Sequence, residues 1–151
     1  MVYEEKMSTS NPMTPSMKGD QLNKFLARPV LMDLATITPE GYPHVAPVWF
    51  EYGGDSFLIS TTRERKKAKN LSVNPRAGFS IAEHSLPYAA VVGYGDVEVE
   101  DDPKGILLLR LARKYLPIEK AERYWRELMK AGGSRIIIKI KPTWILSWTG
   151  E

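Results

Sequence analysis

Turn signals recur so closely between residues 30 and 60 that this stretch is constrained to short strands doubling back on one another. Pro39-Glu40-Gly41 separates two β-rich runs, Val30–Thr38 and His44–Glu51, and Gly53-Gly54-Asp55 is a hairpin signal ahead of a third, Phe57–Ser60. Further strands are expected over Arg76–Glu83, Tyr88–Glu100, Arg135–Lys141 and Thr143–Thr149, with Pro142 separating the last two. Gly93 and Gly95, inside the longest run, predict a bulge or a sharp bend. Leu22, Phe25 and Leu26 recur at helical spacing over Lys18–Ala27, which Arg28-Pro29 ends. An insertion at about 103–133 holds two more helices. Asp101-Asp102-Pro103 caps the first, with an expected apolar face of Ile106, Leu109, Leu111 and Ala112; Pro117 starts the second and Gly132-Gly133 stops it. No strand–helix–strand alternation with parallel-sheet spacing is present. The expected class is therefore α+β, an antiparallel barrel with peripheral helices. Residues 1–17 show no period and read as a flexible tail, and 18–151 suit one domain.

The stretch Leu58–Pro75 carries the clearest chemistry. A strand end with the hydroxyls of Thr61 and Thr62 runs into Arg63, Arg65, Lys66, Lys67 and Lys69, then the apolar anchors Leu71 and Val73. A helix is expected from Arg63 or Glu64 onward, ending before Pro75, which cannot continue it. Free N–H groups, hydroxyls and lysines converging at a helix start suit a phosphate. A solvated basic helix accounts for the same run of charge.

Most other chemistries are excluded. There is no cysteine, so thiolate nucleophiles, disulfides and cysteine metal sites are ruled out, and His44 and His84 stand forty residues apart with no metal-ligand spacing. Gly93-Tyr94-Gly95 has Glu98 where a dinucleotide fingerprint needs its third glycine, and no P-loop or Gly-x-Ser-x-Gly elbow occurs. Asp96, Glu98 and Glu100 alternate along a strand and read as an acidic surface stripe. Lys plus Arg (21) exceeds Asp plus Glu (18) only slightly. Binding of nucleic acid through the basic run and Tyr42, Trp49 and Tyr52 is accordingly not expected. No apolar run is long enough to span a membrane and the N-terminus lacks a signal-peptide core, so a cytoplasmic location is expected. With no self-sufficient catalytic set of side chains, an enzyme of this sequence would rely on a cofactor.

One combination of segments carries a resemblance. Gly41-Tyr42-Pro43-His44-Val45-Ala46-Pro47-Val48-Trp49-Phe50 is followed by the Gly-Gly-Asp turn and Leu58-Ile59-Ser60-Thr61-Thr62. Lys67-Ala68-Lys69-Asn70-Leu71 and Asn74-Pro75 come next, and Tyr88–Val99 holds Gly95 and Val97. This order resembles the pyridoxamine 5′-phosphate oxidase-like family of FMN-binding split barrels, over about residues 20–149. The resemblance implies a split β-barrel, a homodimer, and two cofactors at the subunit interface. It implies phosphate contacts from Ser60, Thr61, Thr62, Lys66 and Lys67, and ring-edge contacts from the backbone of Ala46, Pro47, Val48 and Trp49. Tyr88, with Trp144 or Trp148, would approach from the partner chain. Ordinary core or dimer-interface packing is the better account of both tryptophans, and a helix-end hydrogen bond that of Asn70.

Departures from the pattern narrow the activity that the resemblance implies. Val45 and Phe50 stand where pyridoxamine-phosphate oxidases carry arginine and lysine, and Trp144–Gly150 replaces their C-terminal arginine-and-histidine motif. No histidine follows His84, which sets aside the haem-degrading branch as well. What the resemblance leaves is an FMN-dependent oxidoreductase transferring hydride to or from a small planar substrate. The alternatives are a reductase using the deazaflavin coenzyme F-420, whose acidic tail would suit Arg63, Arg65 and Lys69, and a non-catalytic flavin carrier or sensor. No catalytic side chain and no metal is assigned.

Overall fold

The computed structural model describes residues 16–150. The expected tail thus lies largely outside the described residues, although Met17 is buried and its N–H donates to Ser147 Oγ (3.1 Å). In order, the elements are α1 (Gly19–Ala27), β1 (Met32–Ile37), β2 (Pro43–Val48), β3 (Glu51–Gly53), β4 (Ser56–Thr62), α2 (Lys66–Val73), β5 (Arg76–Ala82), β6 (Ala90–Asp101), α3 (Ile106–Tyr115), α4 (Ile118–Ala131) and β7 (Arg135–Trp148).

Seven strands form one antiparallel sheet in the order β2-β1-β5-β6-β7-β4-β3, curled into the split barrel that the sequence predicts. Alternation along the strands turns Met32 and Leu34, Phe57 and Ile59, Phe79 and Ile81, and Ile136, Ile138 and Ile140 into one core. The Phe57 ring sits 4.6 Å from that of Phe79 and 5.9 Å from that of Phe50. Fully burying each such side chain stabilises the fold by about 1.5–3 kcal/mol.

Three element boundaries and one helix face differ from expectation. The run His44–Glu51 is not one strand: the chain breaks at Trp49-Phe50, so that β2 and β3 become the two edges of the sheet. Phe50 is fully buried at this corner, and its N–H donates to the Tyr115 hydroxyl (3.2 Å) rather than to a neighbouring strand. Pro142 does not end a strand either. β7 runs continuously past it because a register shift at Tyr94/Gly95 absorbs the extra residue, and a bulge tolerates the missing N–H. Gly95 is required there, since a Cβ would lie 2.0 Å from the Lys141 carbonyl oxygen. α2 starts at Lys66 instead of Arg63 or Glu64, because residues 63–65 turn: the Arg65 N–H donates to the Thr62 carbonyl (3.2 Å). Finally, α3 buries Leu107, Leu108, Leu111 and Ala112 and exposes Ile106. The Asp102 carboxylate sets that rotation by accepting from the N–H groups of Ile106 (3.1 Å) and Leu107 (3.0 Å).

Candidate functional site

The antiparallel pairing of β4 with β7 sets Thr62 opposite Arg135 and Ser60 opposite Ile137. Beyond Thr62 the chain is tied back to the start of β7. The Arg63 N–H donates to the Ser134 carbonyl (3.0 Å), and the Ser134 N–H donates to the Glu64 carboxylate (3.0 Å). The Ser134 N–H, with Glu64's own backbone N–H, holds the Glu64 carboxyl below its ordinary range. Arg63 pairs with Asp101 (2.7 Å). The corner is therefore closed by backbone bonds, and the basic residues that follow are left free of it.

A cavity of about 390 Å³ opens at this corner. Ser60, Thr61 and Thr62 of β4 line it, with Arg65, Lys67 of α2 and Arg135 of β7. Its apolar walls are Leu31, Pro47, Val48 and Trp49, together with Leu108 and Leu111 of α3 and Tyr124 and Leu128 of α4. The helical insertion thus builds one side of the site, a role with no local signature in the sequence. Among the described residues, no carboxylate and no imidazole lines it.

Three lining cations share this space, and none of them belongs to an ion pair among the described residues. Partial burial lowers the pKa of Lys67, and the neighbouring Arg65 charge adds to the effect. Burial also lowers that of Arg135, with Asp102 opposing the shift and Arg65 adding to it. Arg135 donates one N–H to Ser60 Oγ (2.7 Å), while its Nε is buried without an acceptor. An orphaned guanidinium nitrogen beside two further cations and a row of hydroxyls fits an oxyanion ligand.

The aromatic wall is fixed from behind. Trp49 stacks on Tyr115 (5.1 Å, 5°) and lies tilted against Tyr124 (5.3 Å, 46°). The Tyr115 hydroxyl donates to the Val30 carbonyl (2.7 Å) as it accepts from Phe50. Lys114 Nζ donates to the carbonyls of Phe50 (2.8 Å) and Leu26 (3.0 Å) and sits 4.1 Å from the Phe50 ring centre. The end of α3 is thereby pinned to the β2–β3 corner.

Of the residues expected at a cofactor, Pro47, Val48, Trp49, Ser60, Thr61, Thr62 and Lys67 line this one cavity. Ala46 and Lys66 are their chain neighbours but not part of its lining. Tyr88 lies half-exposed on the loop between β5 and β6, outside it. Asn70 neither lines the cavity nor bonds locally through its side chain: its amide donates across to Thr36 Oγ1 of β1 (3.0 Å). Trp144 stacks on Tyr94 (5.4 Å). Asp96, Glu98 and Glu100 are exposed as expected, with Glu98 paired to Lys141 (3.0 Å). Sequence reasoning missed Arg135, a lone arginine opening a strand, and the leucines and Tyr124 of the insertion.

Comparison with known proteins agrees with this architecture. A solved F-420 reductase is 29% identical over 82% of this chain and 94% of its own, with a TM-score of 0.63. A conserved hypothetical protein from Mycobacterium tuberculosis superimposes with a TM-score of 0.73, at 20% identity, over 95% of this chain and 91% of its own. A pyridoxamine 5′-phosphate oxidase-related, FMN-binding protein from Nostoc punctiforme shares the fold at 15% identity, with a TM-score of 0.54 over 80% and 74% of the two chains. Among curated proteins no sequence matches significantly. Residues 19–149 match the family described as pyridoxamine 5′-phosphate oxidase, so the chain belongs to that family of FMN-binding split barrels.

Proposed function

We propose that this protein is an oxidoreductase that holds a phosphate-bearing flavin-type cofactor in the cavity between β4, α2 and β7. The observation that carries this reading is the convergence of Arg65, Lys67 and Arg135 on the β4 hydroxyls, with no carboxylate in the lining among the described residues. Two observations favour the deazaflavin coenzyme F-420: the 29% identity to an F-420 reductase, and lining cations that exceed what one phosphate needs. FMN is the second reading, favoured by membership of the family. When bound, either cofactor supplies hydride transfer at its ring.

The protein's own part is binding and orientation. Lys67 and Arg135 hold the anion, and the half-buried setting strengthens each charge-assisted bond relative to bulk water. Trp49, Tyr124, Leu108, Leu111 and Leu128 exclude water from the cavity and offer flat apolar surface. The substrate would be a small planar molecule meeting the exposed ring, with no acidic side chain of the lining to bind a cation.

A homodimer is part of the proposal. Val45, Ala35, Gly78, Tyr94 and Trp144 are paired directly across five strands and so share the outer face of the sheet. Val45 is 61% and Tyr94 48% exposed there, an apolar row that a second copy would cover.

Titration of the purified protein with F-420 and with FMN, followed by absorbance, tests the reading. Saturable binding is expected, weakened roughly 10- to 100-fold in a Thr61→Ala, Lys67→Ala double variant. Failure of both cofactors to bind at micromolar concentration would overturn it. Tight binding with no turnover of the reduced cofactor by any acceptor would instead identify a carrier or sensor.

A further inference from the structure

The helical insertion has a second face that the cavity does not use. Helical spacing turns Tyr124 and Leu128 of α4 to the cavity and sets Ile118, Trp125 and Met129 along a different side. Ala121 is the one buried residue of its fourteen, so the fold covers little of a strongly amphipathic helix. Ile106 and Leu109 of α3 join that side: with Lys104, Trp125 and Met129 they line a groove of about 510 Å³, separate from the cavity. Two isoleucines stand out from this face, Ile106 at 55% and Ile118 at 88% exposure.

Specific contacts hold the groove in shape. The Asp102 carboxylate fixes the rotation of α3 that leaves Ile106 outward. Gly105, at φ +62°, lets the start of α3 approach α4 so closely that a Cβ would lie 2.5 Å from Met129 Sδ. Trp125 donates its Nε1–H to the Gly105 carbonyl (2.9 Å). Its one polar group is thereby satisfied, and apolar ring surface is left to the groove.

Charge identifies the occupant. Residues 104–133 hold eight lysines and arginines against three glutamates, an excess of five in a chain whose whole excess is three. Lys114 is turned inward and Arg110 pairs with Glu51, but Lys104, Arg113, Arg126 and Lys130 are exposed. Lys104 lines the groove, Arg113 follows Ile106 and Leu109 at helical spacing, and Arg126 and Lys130 directly succeed Trp125 and Met129. Of these four only Arg126 joins an ion pair among the described residues, a long one with Glu122 (3.9 Å). Projecting aliphatic side chains and a tryptophan among cations match the boundary between headgroups and acyl chains of an anionic bilayer. A partner helix would instead bring its own anchors into a pocket, whereas the exposed isoleucines here point outward.

We propose that this face of the insertion docks on an anionic phospholipid surface, with Ile106, Ile118 and Trp125 at the acyl boundary and the four cations against lipid phosphates. No described helix is long and apolar enough to cross a membrane, so the contact is peripheral. Docking brings the cavity wall formed by Tyr124 and Leu128 of the same helix close to the bilayer. Nothing in this depends on which cofactor the cavity holds.

Co-sedimentation of the full chain with lipid vesicles tests the proposal. Vesicles of equal parts phosphatidylglycerol and phosphatidylcholine should bind the protein, and vesicles of phosphatidylcholine alone should bind it at least roughly 10-fold more weakly. Raised ionic strength should weaken the first interaction. Ile106→Ser with Ile118→Ser should lower partitioning roughly 10- to 100-fold, and Lys104→Glu with Lys130→Glu should do the same. All four positions are exposed and outside the cavity, so circular dichroism and cofactor titrations should not change. Lys18→Glu with Lys24→Glu, an equal charge change on exposed positions of α1, should cost far less. The proposal is overturned by absence of binding at millimolar lipid, by equal binding to both kinds of vesicle, or by equal losses in the α1 and groove charge pairs. Partitioning unchanged in both groove pairs would overturn it too. If vesicles fail while an acidic amphipathic peptide shifts the tryptophan emission of wild type but not of Trp125→Phe, the face serves a protein partner and the membrane proposal falls.

Discussion

Trp49 lies flat on Tyr115, ring centres 5.1 Å apart and planes 5° from parallel, and this stack joins the inserted helices to the barrel corner. Trp49 faces the cavity, whereas Tyr115 spends its hydroxyl on the backbone of Val30 and Phe50 behind it. The insertion therefore does more than cover apolar surface. It holds a wall of the site at a point where the strand has broken and no ladder bond can do so.

Tyr115→Phe keeps the stack and removes two hydrogen bonds, leaving the Phe50 N–H and the Val30 carbonyl without that partner. A loss of about 1–3 kcal/mol is expected from the urea midpoint. Tyr115→Leu should lose the ring contact as well and weaken cofactor binding, because Trp49 is then free to leave its rotamer.

Trp49 is the only one of the four tryptophans that lines the cavity. Binding of either cofactor is expected to quench part of the tryptophan fluorescence, and Trp49→Phe should remove most of that quenching. An unchanged quench in the variant would place the cofactor elsewhere.

Lys114 makes stability depend on alkaline pH. Partial burial lowers its pKa to about 8, with Glu51 opposing the shift. Below that value the ammonium is charged in both states and its burial is a constant cost. Between about 8 and the ordinary lysine value the folded chain has lost the proton that the unfolded chain retains, so stability rises with pH. Tyr115 acts in the opposite sense: burial raises its pKa to about 12, so its ionisation in the unfolded chain lowers stability above roughly 10. Urea midpoints taken across this range at fixed protein concentration should rise and then fall. Lys114→Met should flatten the rise.

Gly95→Ala should be severe. The added Cβ would fall 2.0 Å from the Lys141 carbonyl oxygen and 2.7 Å from Pro142 Cα, both backbone atoms held by the bulge. A cost of at least about 2–3 kcal/mol is expected, read as a lower thermal midpoint. Gly53→Ala, with nothing within 4 Å of the new Cβ, provides the mild comparison.

If the proposed dimer uses the apolar outer row, Tyr94→Lys and Val45→Glu place charge on it and should give a monomer with the fold retained. Sedimentation velocity with circular dichroism checks both halves of that expectation.

Much of this protein was legible in the sequence because the signals concerned are local. The hairpin glycines, the alternation of apolar residues and the hydroxyls leading into a basic helix each act within a few positions. They determine the antiparallel strands, the bulge beside Gly95, and the run of hydroxyls and cations from Ser60 to Lys67 that borders one cavity. The cap of α3 by Asp102 was legible for the same reason.

Tertiary structure alone decided the rest. Arg135 is seventy-five residues from Ser60 and reaches it only because β7 pairs with β4. Leu108 and Tyr124 line the cavity only because Lys114 and Tyr115 pin the end of α3 to Phe50. The break at Trp49-Phe50 and the continuity of β7 through Pro142 follow from where the sheet curls, not from residue propensity. In each case the deciding contact joins residues far apart in the chain, and long-range register leaves no periodic mark in the sequence around either partner.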